Sequence, residues 1–264
     1  IGRHMSAELL ARGWDVTAVD IRPAAFGWQS DMLTWLHGDR TAYDLVVHAA
    51  ASAPHRVAID TQPASHVYNR LLDAALFDWA IRAQPARALY LSSCAVLDDE
   101  PDAYGRYKLA GEQLAGHARE CGVPVTLVRP FSGYGEGQGE DWPFGAFVAR
   151  ARRREDPFTI WGDGSQVRDW IHVDDVVAGA LAVAQSGTEE PVSLCTGVGT
   201  SMLDLARLVC AEAGYAPEFE LRLDKPAGRL YRVGDPAALA RWYAPKVPIK
   251  EGVKRALAQA EVVE

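Results

Sequence analysis

No apolar run in this chain of 264 residues is long enough to cross a bilayer as a helix. No signal-peptide pattern stands among the residues, and no membrane partner is expected. Positive charge is also short: 27 Lys and Arg stand against 35 Asp and Glu, a net charge of −8. That balance lacks the basic face that a nucleic-acid backbone demands, so no nucleic-acid partner is expected. Cysteine is sparse and scattered. Cys94, Cys121, Cys195 and Cys210 form no CxxC pair, and no His-rich cluster accompanies them. No metal site is expected, and the four read as reduced thiols of a cytoplasmic protein. Internal repeats and low-complexity segments are missing as well. What is left, 48% apolar and 23% charged residues, is the composition of a globular chain able to bury a substantial core.

The chain also lacks the opening of a unit that it otherwise displays. Residues 1–13 read as a helix closed by Gly13. Residues 15–20 read as a strand ending in Asp20. A helix followed by a strand that ends in an acid is the back half of a dinucleotide-binding βαβ unit. No apolar strand precedes Ile1, and Gly2 alone stands for the glycine-rich turn. The first strand of such a fold is central, and omitting it strands backbone groups in the core. The expectation is that roughly ten further residues belong upstream.

The chemistry gathers around residues 89–96, Leu-Tyr-Leu-Ser-Ser-Cys-Ala-Val, and residues 104–108, Tyr-Gly-Arg-Tyr-Lys. An apolar strand ends in two serines, and a helix then opens with Tyr104 and Lys108. Four residues apart, these two share one helix face. An ammonium beside a phenol stabilises the phenolate and lowers its pKa. Such a tyrosine can exchange a proton with a sugar or alcohol hydroxyl near neutral pH, and a serine at the strand end can hold the same oxygen. Around this centre, residues 42–51 read as a strand running into small residues. Residues 63–84 read as a long helix containing Asn69, and 123–130 as a strand stopped by Pro130. The long helix carries more apolar positions (Val67, Leu71, Leu72, Ala75, Leu76, Trp79) than one buried face needs, which suits a partner helix from a second subunit.

Strands and helices alternate up to Pro130, which predicts an α/β fold with a doubly wound parallel sheet. From Phe131 the texture changes. Residues 131–139 read as a loop, 144–154 as a helix, 158–161 as a strand and 176–184 as a helix. A strand is expected over 191–195, a helix over 201–214 with Ser201 as N-cap, and a strand over 219–223. Two further helices are expected from about 235 and about 250. These pieces suit a small lobe over the carboxyl edge of the sheet, where such folds bind ligands. The expected domains are a dinucleotide-binding domain, 1–130 with 166–196 returning to it, and a substrate lobe, 131–165 with 197–264.

Taken together, these residues resemble the extended short-chain dehydrogenase/reductase family, the NAD-dependent nucleotide-sugar epimerases and dehydratases. The similarity is collinear from Ile1 to about Leu257. Its most specific run is residues 162–175, Gly-Asp-Gly-Ser-Gln-Val-Arg-Asp-Trp-Ile-His-Val-Asp-Asp. The resemblance implies a Rossmann-type sheet and NAD as cofactor. Gly2 would be the last fingerprint glycine. Asp20, with Ile21 and Arg22 behind it, would bind the adenosine ribose; the acid favours NAD, while Arg22 keeps NADP open. Asp31 and Met32 would flank the adenine. Ala49, Ala50 and Ala51, with Asn69, Ser92 and Pro130, would line the rest of the cofactor. Ser93, Tyr104 and Lys108 would be catalytic, Lys108 also holding the nicotinamide ribose. Arg168 would grip a nucleotide-sugar diphosphate through its guanidinium fork; an ion pair with Asp169 or Asp174 is its structural alternative. Lys225 would supply a further cation for the same diphosphate, with Arg229 and Arg232 as alternatives, and Ser93 and Ser132 would be further substrate-binding residues. A homodimer through the helices near 64–84 and 103–119 is implied as well.

Departures narrow the reaction. Ser132-Gly133 replaces an Asn that many relatives use for the substrate phosphate. Only seven residues, 97–103, separate the serine strand from Tyr104, a much shorter loop than relatives carry. The family's 4,6-dehydratases place Asp-Glu after the catalytic hydroxyl residue, and Cys94-Ala95 stands there instead. The simplest expectation is a nucleotide-sugar 4-epimerase. The alternatives are a dehydratase, reductase or C3/C5 epimerase that recruits Cys94 as acid or base, and a non-catalytic nucleotide-binding relative. His48, His55 and His172 are expected in packing or loop roles.

Overall fold

The computed structural model describes residues 1–22, 27–52 and 64–259, with the backbone alone at 64 and 65. His55 lies outside these residues. Eight α-helices and twelve short strands are seen among them. In chain order they are α1 (Gly2–Ala11), β1 (Val19–Asp20), β2 (Trp28–Gln29), α2 (Met32–Gly38), β3 (Val46–His48), α3 (Ala64–Ala83), β4 (Ala88–Leu91), α4 (Ala103–Glu120) and β5 (Val125–Pro130). Then follow β6 (Ser132–Tyr134), α5 (Pro143–Arg152), β7 (Phe158–Trp161), β8 (Val167–His172), α6 (Val173–Ser186), β9 (Val192–Leu194), β10 (Gly199–Ser201), α7 (Met202–Glu212), β11 (Phe219–Arg222), β12 (Tyr231–Arg232) and α8 (Ile249–Ala258). The chain divides into two compact units. Among the described residues, the first holds those up to 52 with 64–130 and 177–192, and the second holds 131–176 and 193–259.

The expected α/β architecture with parallel pairing is what the first unit shows. The strand order is β3-β4-β5-β9, and β3 to β4 and β4 to β5 are parallel. Strand β4 is buried on both sides of its pleat, as a central parallel strand must be. Helices α2, α3 and α4 pack Leu36, Leu76, Phe77, Trp79, Ala115 and Ala118 against Ala88, Tyr90, Val125 and Leu127 of the sheet. Strands β1 and β2 form a separate parallel pair. Only two of the six residues expected as the β1 strand are paired, and three of the ten expected at β3. Strand structure is defined by ladder partners, and each of these strands has a described partner on one side only.

The second unit has its own core, built from Tyr134, Phe144, Phe147, Phe158, Ile160, Trp170, Leu205, Val209 and Val253. Residues expected as a plain loop contain β6, which pairs in parallel with β8 from Ser132↔Trp170 to Tyr134↔His172. Strands β10 and β12 flank β8 on its other residues. Serine 201 caps α7 as expected, accepting from the Asp204 N–H at 3.0 Å. The helix expected from about 235 is a single 3-10 turn, Leu239–Arg241, and the prolines at 245 and 248 stop it from extending.

Two buried carboxylates hold the irregular part of this unit. Asp169 accepts from the Thr196 N–H (2.8 Å) and hydroxyl (2.7 Å), and from the N–H groups of Gly197 (2.8 Å) and Gly234 (3.3 Å). Asp175 accepts from the Tyr243 hydroxyl (2.6 Å) and the N–H groups of Lys246 (2.8 Å) and Val247 (2.9 Å). Loop backbone that no strand satisfies is thus satisfied by side chains. Asp169→Asn turns half of its acceptor set into a donor that faces buried N–H groups. The expected loss of unfolding free energy is about 3 kcal/mol, read by urea unfolding followed through tryptophan fluorescence.

Candidate active site

Lys108 is the best-defined residue at the end of β4. It lies on α4 one turn beyond Tyr104, and its Nζ donates to the carbonyl of Leu91, the last residue of β4, at 2.8 Å. The ammonium stands 4.8 Å from the ring centre of Tyr107 and 5.1 Å from that of Tyr90. Only 7% of the residue is exposed. Burial pushes its pKa down to about 8, while the charges of Asp73 and Glu112 work in the opposite direction. Lys108 is therefore aimed at the strand end by the sheet itself.

Ser93 follows two residues after Leu91. It caps a 3-10 turn, Cys94–Leu97, with its Oγ accepting from the Ala95 N–H at 3.2 Å. That bond fixes the side chain and leaves the hydroxyl hydrogen to be donated. Tyr104 sits in the first turn of α4, where Asp102 caps the helix by accepting from the Gly105 N–H at 2.9 Å. A Cβ at Gly105 would lie 2.7 Å from the Ala95 carbonyl oxygen, so this glycine lets α4 start flush against the serine turn. Tyr104 is half-buried, with its ring edge-on to Tyr107 at 5.9 Å.

Neighbouring Ser92 has a different partner. Its hydroxyl donates to Glu112 Oε1 at 2.5 Å, and Arg129 grips the same carboxylate through Nε (2.8 Å) and Nη2 (2.6 Å). The adjacent serines thus point to separate tasks, Ser92 into a charged bracket joining β4, α4 and β5, and Ser93 into the turn. Cys94 and Ala95 are both buried within that turn.

The groups expected to meet the dinucleotide fit it in kind. A Cβ at Gly2 would lie 3.3 Å from Ala49 Cβ, so the start of α1 faces the small residues after β3. A helix start of this kind suits a diphosphate. Asn69, itself buried, closes both backbone groups of Ser52: Nδ2 donates to its carbonyl and Oδ1 accepts from its N–H, each at 2.7 Å. It therefore positions the segment containing Ala49, Ala50 and Ala51. Asp20 ends β1 with its carboxylate exposed, accepting from the Arg22 N–H at 2.9 Å, and Ile21 beside it is exposed. Asp31 caps α2 by accepting from the Thr34 N–H at 3.1 Å, with Met32 as the first helical residue. Pro130 is buried at the end of β5.

The remaining candidates belong to the second unit. Ser132 opens β6, and Arg168 lies on β8 between β10 and β12. The two acids considered for Arg168 have other partners: Asp169 accepts from loop backbone, and Asp174 pairs with Arg255 at 3.3 Å. Lys225 and the residues around Arg229 border an open cavity of about 280 Å³, lined also by Gly162, Asp163, Ser165, Gln166, Leu223 and Leu230. His172 is packed, donating from Nε2 toward Glu136 at 3.1 Å while its Nδ1 accepts from the Asp174 N–H at 3.2 Å. Among the described residues, no group of three or more His, Cys, Asp or Glu is placed to hold a metal ion.

Sequence reasoning passed over His66, Asp73, Tyr90 and Glu112. Glu112 was findable, since it continues the four-residue spacing of Tyr104 and Lys108. His66 stacks on Tyr107 at 6.1 Å, a contact that no local pattern announces.

A sequence model described as the NAD dependent epimerase/dehydratase family matches residues 1–195. A dTDP-4-dehydro-6-deoxy-D-allose reductase of Streptomyces bikiniensis is 37% identical over 133 residues, 48% of this chain and 40% of that protein. The match thus spans about two fifths of that relative's length. A putative UDP-glucose 4-epimerase of Methanocaldococcus jannaschii is 26% identical over 288 residues, covering 97% of this chain and 93% of the relative. Among solved structures, the NAD-dependent NDP-hexosamine 5,6-dehydratase TunA, involved in tunicamycin biosynthesis, superimposes with a TM-score of 0.87 at 24% identity. That superposition covers 97% of this chain and 93% of TunA, and it places the fold among the Rossmann-type epimerases and dehydratases. With three quarters of its length matched from Ile1 onward, the chain belongs to the NAD-dependent epimerase/dehydratase family.

Proposed function

We propose that the protein is a nucleotide-sugar 4-epimerase. The observation that carries this reading is the content of the β4 end: Ser93, Tyr104 and Lys108 are present, while Cys94 and Ala95 are buried where a carboxylate pair for elimination would stand. NAD, when bound, supplies a reversible hydride acceptor. Lys108 is a cation held by the sheet and stabilises the Tyr104 phenolate. The phenolate takes the proton from the sugar C4 hydroxyl, and Ser93 donates a hydrogen bond to the same oxygen. Transfer of the C4 hydride to bound NAD would leave a ketone, and on its return to the other face of that ketone Tyr104 would give the proton back to the oxygen. No net oxidant or reductant is consumed. The diphosphate of the substrate suits the Arg168 fork, with Lys225 and Arg229 as further cations. The Methanocaldococcus jannaschii relative, matched over nearly its whole length, supports this outcome.

A second reading keeps the same proton chemistry but ends in net reduction of a 4-keto sugar by external reduced cofactor. The 37% identity to a 4-keto sugar reductase over half the chain favours it. Product mass separates the two: epimerisation leaves it unchanged, and reduction adds two hydrogens.

The oligomer forms part of the proposal. On α3, Val67, Tyr68 and Leu71 are exposed, as is Leu109 on α4, and a second copy of this chain would cover them.

Incubated with UDP-glucose and NAD, the protein is expected to yield the C4 epimer, detected by proton NMR. Tyr104→Phe should lower kcat by about 10²–10⁴-fold while NAD binding persists; full activity would overturn the assignment. Turnover should also fall as pH rises through about 8, where Lys108 loses its proton and with it the charge that favours the phenolate. Val67→Glu combined with Leu71→Arg should convert a dimer to a monomer in sedimentation velocity.

A further inference from the structure

The mechanism above uses Lys108 but leaves unused the buried acid beside it. Asp73 lies on α3 and is 1% exposed. Its Oδ1 meets His48 Nε2 at 2.8 Å, and its Oδ2 accepts from the Tyr90 hydroxyl at 2.7 Å. Helix α4 closes over the pair at Gly111, where a Cβ would lie 1.9 Å from the Tyr90 hydroxyl oxygen and 2.6 Å from Asp73 Oδ2. Only glycine permits that approach. It brings the turn of α4 that carries Lys108 down onto Tyr90, whose ring lies 5.1 Å from the ammonium.

We propose that Asp73 is a positioning residue of the active site, its buried carboxylate holding Lys108 as a cation through the His48–Asp73–Tyr90 cluster. The inference rests on the reading of Tyr104 and Lys108 as the catalytic pair. The charged and titratable groups around Lys108 are Asp73 and His66 from α3, His48 from β3 and Tyr90 from β4. To these α4 adds Tyr104, Tyr107 and Glu112, and β5 adds Arg129. Glu112 is the other acid, but the Arg129 fork already matches its charge. Asp73 is joined to Lys108 through Tyr90: its Oδ2 accepts from the hydroxyl at 2.7 Å while the ring lies 5.1 Å from the ammonium. Tyr90 itself is neutral, because burial and the Asp73 charge push its phenol far above its ordinary range. That charge opposes the desolvation that would strip Lys108 of its proton.

The chain has five lysines, and Lys225, Lys246, Lys250 and Lys254 all belong to the second unit. In the full chain labelled with 13C at lysine Cε, loss of one resonance in Lys108→Arg identifies Lys108. Its titration is followed with and without NAD. The expected result is a midpoint near 8 that falls by about one pH unit or more, tenfold in proton affinity, in Asp73→Asn. Asp73→Ser removes the same charge with less volume and serves if Asn does not fold. Tyr90→Phe removes a hydrogen bond but keeps the charge, and its midpoint should not fall. A midpoint unmoved by loss of the Asp73 charge overturns the proposal, as does an equal fall in Tyr90→Phe, which would mark a merely structural role. The alkaline limb of kcat should move with the midpoint. If no nucleotide sugar is turned over, the reading of the reaction fails, while the lysine titration still decides the role of Asp73.

Discussion

The hydrogen bond from Lys108 Nζ to the Leu91 carbonyl is the constraint on which the chemistry proposed for the first unit depends. A buried ammonium is tolerated only where every direction around it is polar or anionic. Here those directions are a strand-end carbonyl, two aromatic faces and two acids, supplied by three elements. Meeting that demand fixes the height of α4 against β4. Tyr104, one turn earlier on the helix, and Ser93, two residues beyond the strand, take their places as a result. The candidate site is thus set by the folding of a lysine rather than by the flexible search of a loop.

The second unit solves a different problem by related means. Its strands are short and its connections long, so many loop N–H groups have no ladder to join. Asp169 and Asp175 gather seven donors between them. Arg168 stands immediately before Asp169 on β8, and His172 closes that strand between the two acids. A single run of sequence therefore supplies the cation proposed for a diphosphate, the carboxylates that hold the surrounding loops, and the strand β8 that orders three others.

Much of this was legible in the sequence. The helix at Ala103–Glu120, the buried strand at Ala88–Leu91 and the Ser201 cap follow from local spacing and side-chain chemistry. The Ser93, Tyr104 and Lys108 set could be read because the three residues stand within sixteen positions. What could not be read depends on partners distant in sequence. Strand β6 exists only through its register with β8, some 38 residues on. The truncated β1 and β3 reflect ladders that the neighbouring sequence cannot foresee. Asp73 looks like one acid on a long helix until β3 and β4 bring His48 and Tyr90 to it. The division of labour between Ser92 and Ser93 is invisible until Glu112 claims one of them.

The double clamp of Asn69 on Ser52 has a consequence for affinity. Both backbone groups of Ser52 are closed by one buried amide, so residues 49–52 are ordered when the chain folds. A dinucleotide bound there would meet a preformed wall and need not supply the ordering entropy from its own contacts. In the epimerase proposed above, which must keep its cofactor through many cycles, that retention would owe part of its strength to an asparagine that need not touch it.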